Sequence, residues 1–198
     1  MPRQVDHDER RHQIAEAVWR LAARRGLEDV TLRQVAAEAG VSARLLQYYF
    51  GTREQLLLGA LEVLNADSER RAGERLAHLG DDPDPRDVLR GILLELLPLD
   101  EERRRTHIVH AAYFVRFLTD ESLGAALRDA PHALEELVAT MIRHGQALGR
   151  VEPALDAAGE AAFLVAGAHG LQSQVLLGQY TPRQAVDLVD QQIGRIFA

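Results

Sequence analysis

The side chains with the clearest chemical meaning lie in a run without acidic residues, between Glu38 and Glu54. The guanidinium of Arg44 can donate to O6 and N7 of guanine together, and the carboxamide of Gln47 can bond N6 and N7 of adenine. The hydroxyl of Ser42 can cap a helix whose free backbone amides and positive dipole end would face a phosphate. The run therefore contains the chemical groups that are needed to bind a nucleic-acid duplex.

Residue patterns typical of catalysis are absent from the sequence. It contains no G-x-S-x-G, no phosphate-binding glycine-rich loop and no H-E-x-x-H. It has no cysteine, which excludes disulfides, thiolate metal sites and cysteine nucleophiles. His107 and His110 form an H-x-x-H pair, but no carboxylate is placed with them and the following residues are apolar. We therefore expect no enzymatic activity, no cofactor and no metal site.

Charge is unevenly distributed along the 198 residues, whose net charge is −7. Residues 1–65 hold nine arginines and nine acids, whereas residues 66–198 hold 14 arginines and 21 acids. An acidic protein is not an obvious nucleic-acid binder, but the neutral N-terminal part of this chain allows a local basic surface. All 23 basic residues are arginine, which we interpret as codon bias rather than as evidence for phosphate binding.

The chain begins with polar and charged residues, without the apolar stretch of a secretory signal. Its longest uncharged stretch, 161–182, contains His169, Gln172 and other polar side chains that hydrocarbon tolerates poorly. We interpret this stretch as a buried helix rather than a membrane span. The expected location is therefore cytoplasmic, without membrane association.

Apolar residues recur at helical spacing through nearly the whole chain, and no alternating strand pattern appears. This pattern predicts an all-α fold of about nine helices. Thr31 and Gln34 have the spacing of a capping box, Gly40 permits the positive φ of a tight turn, and Ser42 can cap the next short helix. These signals predict a helix-turn-helix over about residues 31–50.

The later helices have similar boundary signals. Thr52 can cap a long fourth helix, Pro85 suits the first turn of the fifth, and Asp100 can cap the sixth. Pro131 is expected to kink or split the seventh helix because proline removes a helical hydrogen bond. Thr181, followed by proline, begins the ninth.

One stretch near the N-terminus has a long and specific pattern. It consists of Thr31, Arg33, Val35-Ala36, Ala39-Gly40-Val41-Ser42, Leu46, Tyr49-Phe50, Thr52-Arg53-Glu54 and Leu56-Leu57. This run, near the start of a helical chain of this length, resembles the TetR family of transcriptional repressors. Further along, Leu97-Pro98-Leu99-Asp100-Glu101 and the arginine-rich helix after it resemble the branch of the choline-responsive repressor of betaine synthesis.

The resemblance implies a three-helix helix-turn-helix head over residues 8–68. A long helix would join it to a C-terminal helical body for effector binding and dimerisation over residues 69–198. The residues implied to contact bases are Ala43, Arg44 and Gln47, with Arg33 reaching a base or a phosphate. Those implied to contact the DNA backbone are Tyr48, Tyr49, Thr52, Arg53, Ser42 and Thr31. The chain departs from the usual family pattern at Arg44, Leu45 and Gln47, so its operator sequence cannot be inferred from its relatives.

Ordinary packing is the alternative for several of these side chains. We expect Phe50 to be a core residue, while Tyr49 is evenly balanced between core packing and DNA contact. Arg44 could be a solvated charge, but the absence of nearby acids favours contact with DNA.

The last two helices are implied to form a four-helix interface in a homodimer. The residues assigned to this interface are Ala162, Ala166, Gly170, Val186, Val189, Ile193 and Ile196. Their spacing is helical, and core packing within one subunit explains the same spacing equally well.

An effector pocket enclosed by helices four to eight is also implied. The residues assigned to it are His107, His110, Tyr113, Phe114, Phe117, Phe163, His169 and Gln172. Histidines and aromatic rings among aliphatic residues suit a mostly apolar cavity with a few polar groups. The alternative is again that these side chains belong to the core.

Together these features predict a ligand-responsive repressor that binds an inverted-repeat operator in double-stranded DNA as a homodimer. Its effector would be a small molecule of unidentified structure. The alternative is a helical small-molecule-binding protein without sequence-specific DNA binding. A steep salt dependence of binding to duplex DNA would distinguish the first from the second.

Overall fold

The computed structural model describes the backbone of residues 2–120 and 131–197, and the side chains of residues 7–120 and 133–197. Every regular element within these ranges is a helix, which confirms the predicted all-α fold. The helices are α1 (Pro2–Arg25), α2 (Leu32–Ala39), α3 (Ala43–Phe50), α4 (Arg53–Ala77), α5 (Pro85–Glu95), α6 (Glu101–Thr119), α7 (Pro131–Ala147), α8 (Ala157–Leu176) and α9 (Pro182–Ile196).

The chain forms two compact units. The head unit contains the residues up to Arg70 together with Ile108–Thr119, and the body unit contains Arg71–His107 and the residues from Asp120 onward. The head unit therefore differs from the expected 8–68 in that it includes the C-terminal part of α6. Both α4 and α6 have one part in each unit.

The head unit has its own hydrophobic core. Ile14 and Val18 of α1, Leu46 of α3 and Leu56 of α4 are fully buried in it. The indole Nε1 of Trp19, at the edge of this core, donates a hydrogen bond to the carbonyl oxygen of Ala60 at 2.9 Å. The core of the head is thus made by the faces that its helical periodicity predicts.

The C-terminal part of α6 completes this core. Tyr113 is buried, and its hydroxyl donates to the carbonyl oxygen of Leu57 at 2.8 Å. Phe117 stacks on Tyr113 with ring centroids 6.1 Å apart and packs against the same core. Arg116 donates to the carboxylate of Glu28 at 2.6 Å. Tyr113 and Phe117 thus pack against the head core, and the effector role assigned to them stays a prediction.

The body unit is built around a second core. Leu89 and Leu93 of α5, Ile142 of α7 and Ile193 of α9 are fully buried there. Arg90 of α5 donates to the carboxylate of Asp190 on α9 through Nε at 2.5 Å and Nη2 at 3.0 Å.

The helix boundaries of the body follow the predicted signals. Asp84 caps α5 by accepting from the backbone of Arg86, and Pro85 occupies the first turn. Asp100 accepts from the backbone N–H of Arg103 at 2.8 Å, and Thr181 forms a capping box at the start of α9. These local hydrogen bonds satisfy amides that no intrahelical partner can reach.

Three residues of the α9 stripe that was assigned to a dimer interface pack in the core of one chain, and Val186 stays a predicted interface residue. Val189, Ile193 and Ile196 are 4%, 1% and 9% exposed within the protomer, and Val186 is half-buried. A side chain already covered by its own chain has little surface left to bury against a partner. Core packing within one subunit accounts for these three residues.

The seventh predicted helix lies partly outside the described residues. Its described part, α7, begins at Pro131, where proline suits the first turn. It ends before Gly149, whose φ of +69° is left-handed. The kink expected at Pro131 falls at the border of segment 121–130 and is not tested. Among the described helices, none has the length and apolar character needed to cross a membrane.

Candidate nucleic-acid interface

The supporting helix α2 begins with a capping box. The hydroxyl of Thr31 accepts from the backbone N–H of Gln34 at 3.3 Å, and the Gln34 carboxamide oxygen accepts from the backbone N–H of Thr31 at 2.9 Å. Both bonds satisfy amides at the free end of the helix. This confirms the cap that the spacing of Thr31 and Gln34 predicts.

Gly40 makes the turn between α2 and α3. Its φ of +64° and ψ of +31° are left-handed, and its N–H points to the carbonyl oxygens of Ala36 and Ala37. The next amide, of Val41, donates to the oxygen of Ala36 at 3.0 Å. A residue with a Cβ would be strained at this φ, so glycine allows the chain to reverse within two residues.

The next helix, α3, presents one face to solvent. Ser42 caps it by accepting from the backbone N–H of Leu45 at 3.1 Å. Leu46 and Phe50 face the head core, which confirms the core position predicted for Phe50. The exposed residues are Ala43, Arg44, Gln47 and Tyr48. The spacing places these four side chains on the helix face opposite the core.

Most of the other residues predicted to contact DNA are also exposed. Thr31, Arg33, Ser42 and Thr52 are exposed, Tyr49 is half-buried, and 74% of Tyr48 is accessible. Within the part of the chain that the structure describes, Arg33 and Arg44 form no ion pair. Their guanidinium groups therefore keep their donors for another molecule.

Arg53 has a role that the sequence does not reveal. Its Nε donates to the carbonyl oxygen of Val30 at 2.7 Å, and its Nη2 donates to those of Leu27 and Glu28 at 2.8 and 3.0 Å. These bonds attach the start of α4 to the loop between α1 and α2. Thr52 forms a reciprocal cap with Gln55 at the same point. The guanidinium of Arg53 therefore already donates to this loop, and the phosphate contact predicted for it would use the same group.

The acid of α2, Glu38, is paired with two arginines of α1. Glu38 of α2 accepts from Arg20 at 2.8 Å and from Arg24 at 3.1 Å. The hydrogen bond from Arg20 is the main cause that lowers the pKa of Glu38 below its usual value. Arg20 and Arg24 are four residues apart on one helix face, but nothing in the sequence pairs them with Glu38.

The residues assigned to the effector pocket do not all belong to one unit. His110, Tyr113, Phe114 and Phe117 are in the head unit, whereas His107, Phe163, His169 and Gln172 are in the body unit. The structure therefore divides the proposed set at the boundary within α6.

Within the head unit, His110 lies next to α4 and Phe114 is largely exposed. The His110 Nε2 is 3.1 Å from Asn65 Oδ1, and 61% of Phe114 is accessible. Within the body unit, Phe163 is 70% accessible, His169 is exposed and Gln172 is half-buried. Exposure on this scale is unlike the enclosed lining of a ligand cavity.

His107 is a buried polar residue of the body unit, with 7% of its surface accessible. Burial lowers the pKa of His107 to about 4. Hydrogen bonds to the backbone of Glu95 and Leu97 raise the pKa but do not offset the effect of burial. The imidazole of His107 is therefore uncharged near pH 7. Because His107 faces these carbonyls and His110 faces Asn65, the two histidines have separate partners.

A shallow cleft of about 260 Å³ opens on the body unit. It is lined by Asp84, Arg86, Arg150 and Phe197. Arg150 donates to the carboxylate of Asp84 across it. None of the residues predicted to bind an effector lines this cleft.

The outer face of α8 has small residues around one large ring. Gly159, Ala166, Gly167 and Gly170 are exposed and surround Phe163, while Ala162 is half-buried. Small side chains allow another helix backbone to approach closely.

Comparison with known proteins identifies both parts of the chain. Residues 14–60 match the model of bacterial regulatory proteins of the TetR family, and residues 85–198 match that of the BetI-type transcriptional repressor C-terminal domain. The HTH-type transcriptional regulator PksA of Bacillus subtilis (strain 168) is 38% identical over 114 residues, which are 57% of this chain and 54% of the relative. The chain spans about half the length of the first curated relatives that it matches.

Two solved structures are similar over nearly the whole chain. A transcriptional regulator from Rhodococcus sp. Rha1 has 31% sequence identity and a TM-score of 0.78, covering 94% of this chain and 95% of the other. A protein from Saccharomonospora viridis, solved in complex with choline, has 27% identity and a TM-score of 0.82, covering 96% and 99%.

Proposed function

Because the chain belongs to the TetR family of transcriptional regulators, we propose that it is a repressor whose DNA affinity a small molecule controls. It binds an inverted-repeat operator as a homodimer. The observation that carries the proposal is the exposed face of α3, where Arg44 and Gln47 project from a capped helix that has no acid.

The dimensions of α3 fit this function. An α-helix with its side chains is about 10–12 Å across and fits the major groove of B-DNA, which is about 12 Å wide. The eight residues of α3 extend roughly 12 Å along the helix axis. Ala43, Arg44 and Gln47 meet the base edges, while Tyr48 and the N-terminal amides of α3 meet phosphates. Arg33, Thr31 and Thr52 extend the contact from the flanking helix ends.

The dimer forms through the outer face of α8. Phe163 is the large exposed apolar residue on this face, and burial against a partner removes it from water. A two-fold dimer presents two copies of α3, which bind half-sites about 34 Å apart or a small multiple of this distance. Replacing Phe163 by glutamate should convert the dimer to monomers in sedimentation experiments.

The effector acts through helices that the two units share. Since α4 and α6 each have one part in the head unit and one in the body unit, a change in the body reaches the head along the chain. In the body, Arg75 of α4 donates to both carboxylate oxygens of Glu95 at 2.7 Å, and Arg103 of α6 donates to Glu95 at 3.3 Å. A coupling of about 1–3 kcal/mol changes operator affinity roughly 5- to 150-fold.

The relative solved with choline supports a small molecule as the effector of a body with this fold. The test of the repressor function begins with the full-length protein and a random pool of duplex DNA. Selected fragments should contain an inverted repeat, and their affinity should fall steeply with salt.

Arg44→Ala is then compared with Arg104→Ala on the selected operator. The first should cost about 1–3 kcal/mol and relax preference at one position of each half-site. The second removes an exposed arginine of α6 and should change neither quantity. A wild-type protein that enriches no sequence from the pool, and binds no duplex at low salt, would contradict the proposed function.

A further inference from the structure

The tyrosines at the C-terminal end of α3 have a neighbour on α1. The ring centroid of His7 lies 5.4 Å from that of Tyr49 and 6.5 Å from that of Tyr48. The two tyrosine rings meet edge to face at 5.5 Å. These three rings form one aromatic cluster at the end of the helix that would enter the major groove.

Core packing does not explain the position of His7. From His7 onward, where the side chains of α1 are described, the first buried residue is Ile14, about two turns further along, and residues 7–11 are exposed. Residues 7–11 therefore bury little apolar surface. The contact of His7 with Tyr48 instead extends the exposed surface of α3 onto a second helix.

The charges of α1 near the aromatic cluster include the cation Arg11 and the acids Asp8 and Glu9. Arg11, one turn after His7, has its guanidinium carbon 5.5 Å from the ring centroid of Phe50 and a nitrogen 3.9 Å from the Glu62 carboxylate. Asp8 follows His7 but projects about 100° away around the helix. The sequence of α3, which packs beside His7, contains no acid.

We infer that His7 is a further DNA-contacting residue, whose imidazole donates a hydrogen bond to a backbone phosphate beside the one that Tyr48 contacts. The inference rests on the proposed function, since it requires α3 to lie in the major groove. Phosphates recur every 3.4 Å of helix axis along each strand, so two rings with centroids 6.5 Å apart can face different phosphates of the same backbone. Such a contact positions the protein without reading sequence.

The experiment measures the affinity of the full-length protein for its selected operator and for a scrambled duplex over a salt series. His7→Ala should weaken binding to both duplexes by the same factor, roughly 2- to 10-fold for one hydrogen bond. His7→Arg should tighten binding and steepen the slope of log K against log salt by about 0.9, the value for one added phosphate contact. This gain of affinity cannot result from misfolding.

Ala23→Arg is the matched control, since it adds the same charge to an exposed position of α1 about 24 Å further along the helix. It should leave the slope unchanged. Unchanged affinity and slope in both His7 variants, with Arg44→Ala still weakening the operator complex, would overturn the role of His7 and retain the proposed function. A wild-type protein that binds no duplex would overturn both.

Discussion

The helix-turn-helix of the head unit and the packed helices of the body unit differ in the sequence distance that their contacts span. In the head, the helix-turn-helix is set by bonds between residues three apart, such as Thr31 with Gln34 and Ser42 with Leu45. In the body, Arg90 and Asp190 are 100 residues apart. Local signals therefore locate α3 and its exposed face well, whereas the contacts of the body depend on packing between distant helices.

The prediction with the largest expected effect tests whether Ile193 of the body unit is a core residue or a dimer-interface residue. Ile193→Ala should lower the free energy of unfolding by about 2–5 kcal/mol, because it leaves a cavity in the body core. The measurement is chemical denaturation at several protein concentrations, compared with Phe163→Ala on the exposed face of α8. If Ile193→Ala changed dimer dissociation with no loss of protomer stability, Ile193 would be an interface residue after all.

Acid should destabilise the body through His107. Its pKa is about 4 in the folded protein and 6.5 ordinarily, so the unfolded state binds the proton more tightly. The stability contribution is complete above pH 6.5 and is lost as pH falls towards 4, at most about 3 kcal/mol. The melting temperature, followed by circular dichroism, should fall less with pH in His107→Gln than in the wild type across this window. Equal pH dependence in wild type and variant would show that another group is responsible.

Arg53→Ala distinguishes loop attachment from DNA contact in the head. Loss of the bonds to Val30, Leu27 and Glu28 should cost about 1.5–3 kcal/mol of stability. Trp19, the one tryptophan of the chain and a neighbour of the head core, reports this by fluorescence during unfolding. A variant with wild-type stability and weakened DNA binding would assign Arg53 to phosphate contact alone.

The smallest effect tests the assignment of the C-terminal part of α6 to the head. Tyr113→Phe keeps the ring and removes the hydroxyl that donates to Leu57, so we expect a loss of about 0.5–1.5 kcal/mol. Trp19 fluorescence measures it, with Phe114→Leu as a variant of an exposed ring on the same helix. A changed effector response with unchanged stability would assign Tyr113 to the effector site.

Features that depend on residues close together in the sequence could be predicted, and features that depend on distant residues could not. The caps at Thr31, Ser42 and Asp100 and the turn at Gly40 were all predictable, since each depends on residues within four positions. The buried side of α3 followed from helical periodicity. The head-core position of Tyr113 could not be predicted, because an aromatic residue at helical spacing suits a core and a cavity equally well.

The amino-acid sequence by itself determined where helices begin, which face of α3 is apolar and that the exposed face has no acid, because these properties arise from neighbours along one turn. Only the tertiary structure decided that Arg53 binds the α1–α2 loop, that Ile193 is buried in its own chain and that His7 lies beside Tyr48 and Tyr49. The physical reason is that side chains far apart in sequence meet only after the helices have packed, and periodicity along one helix does not specify its neighbour.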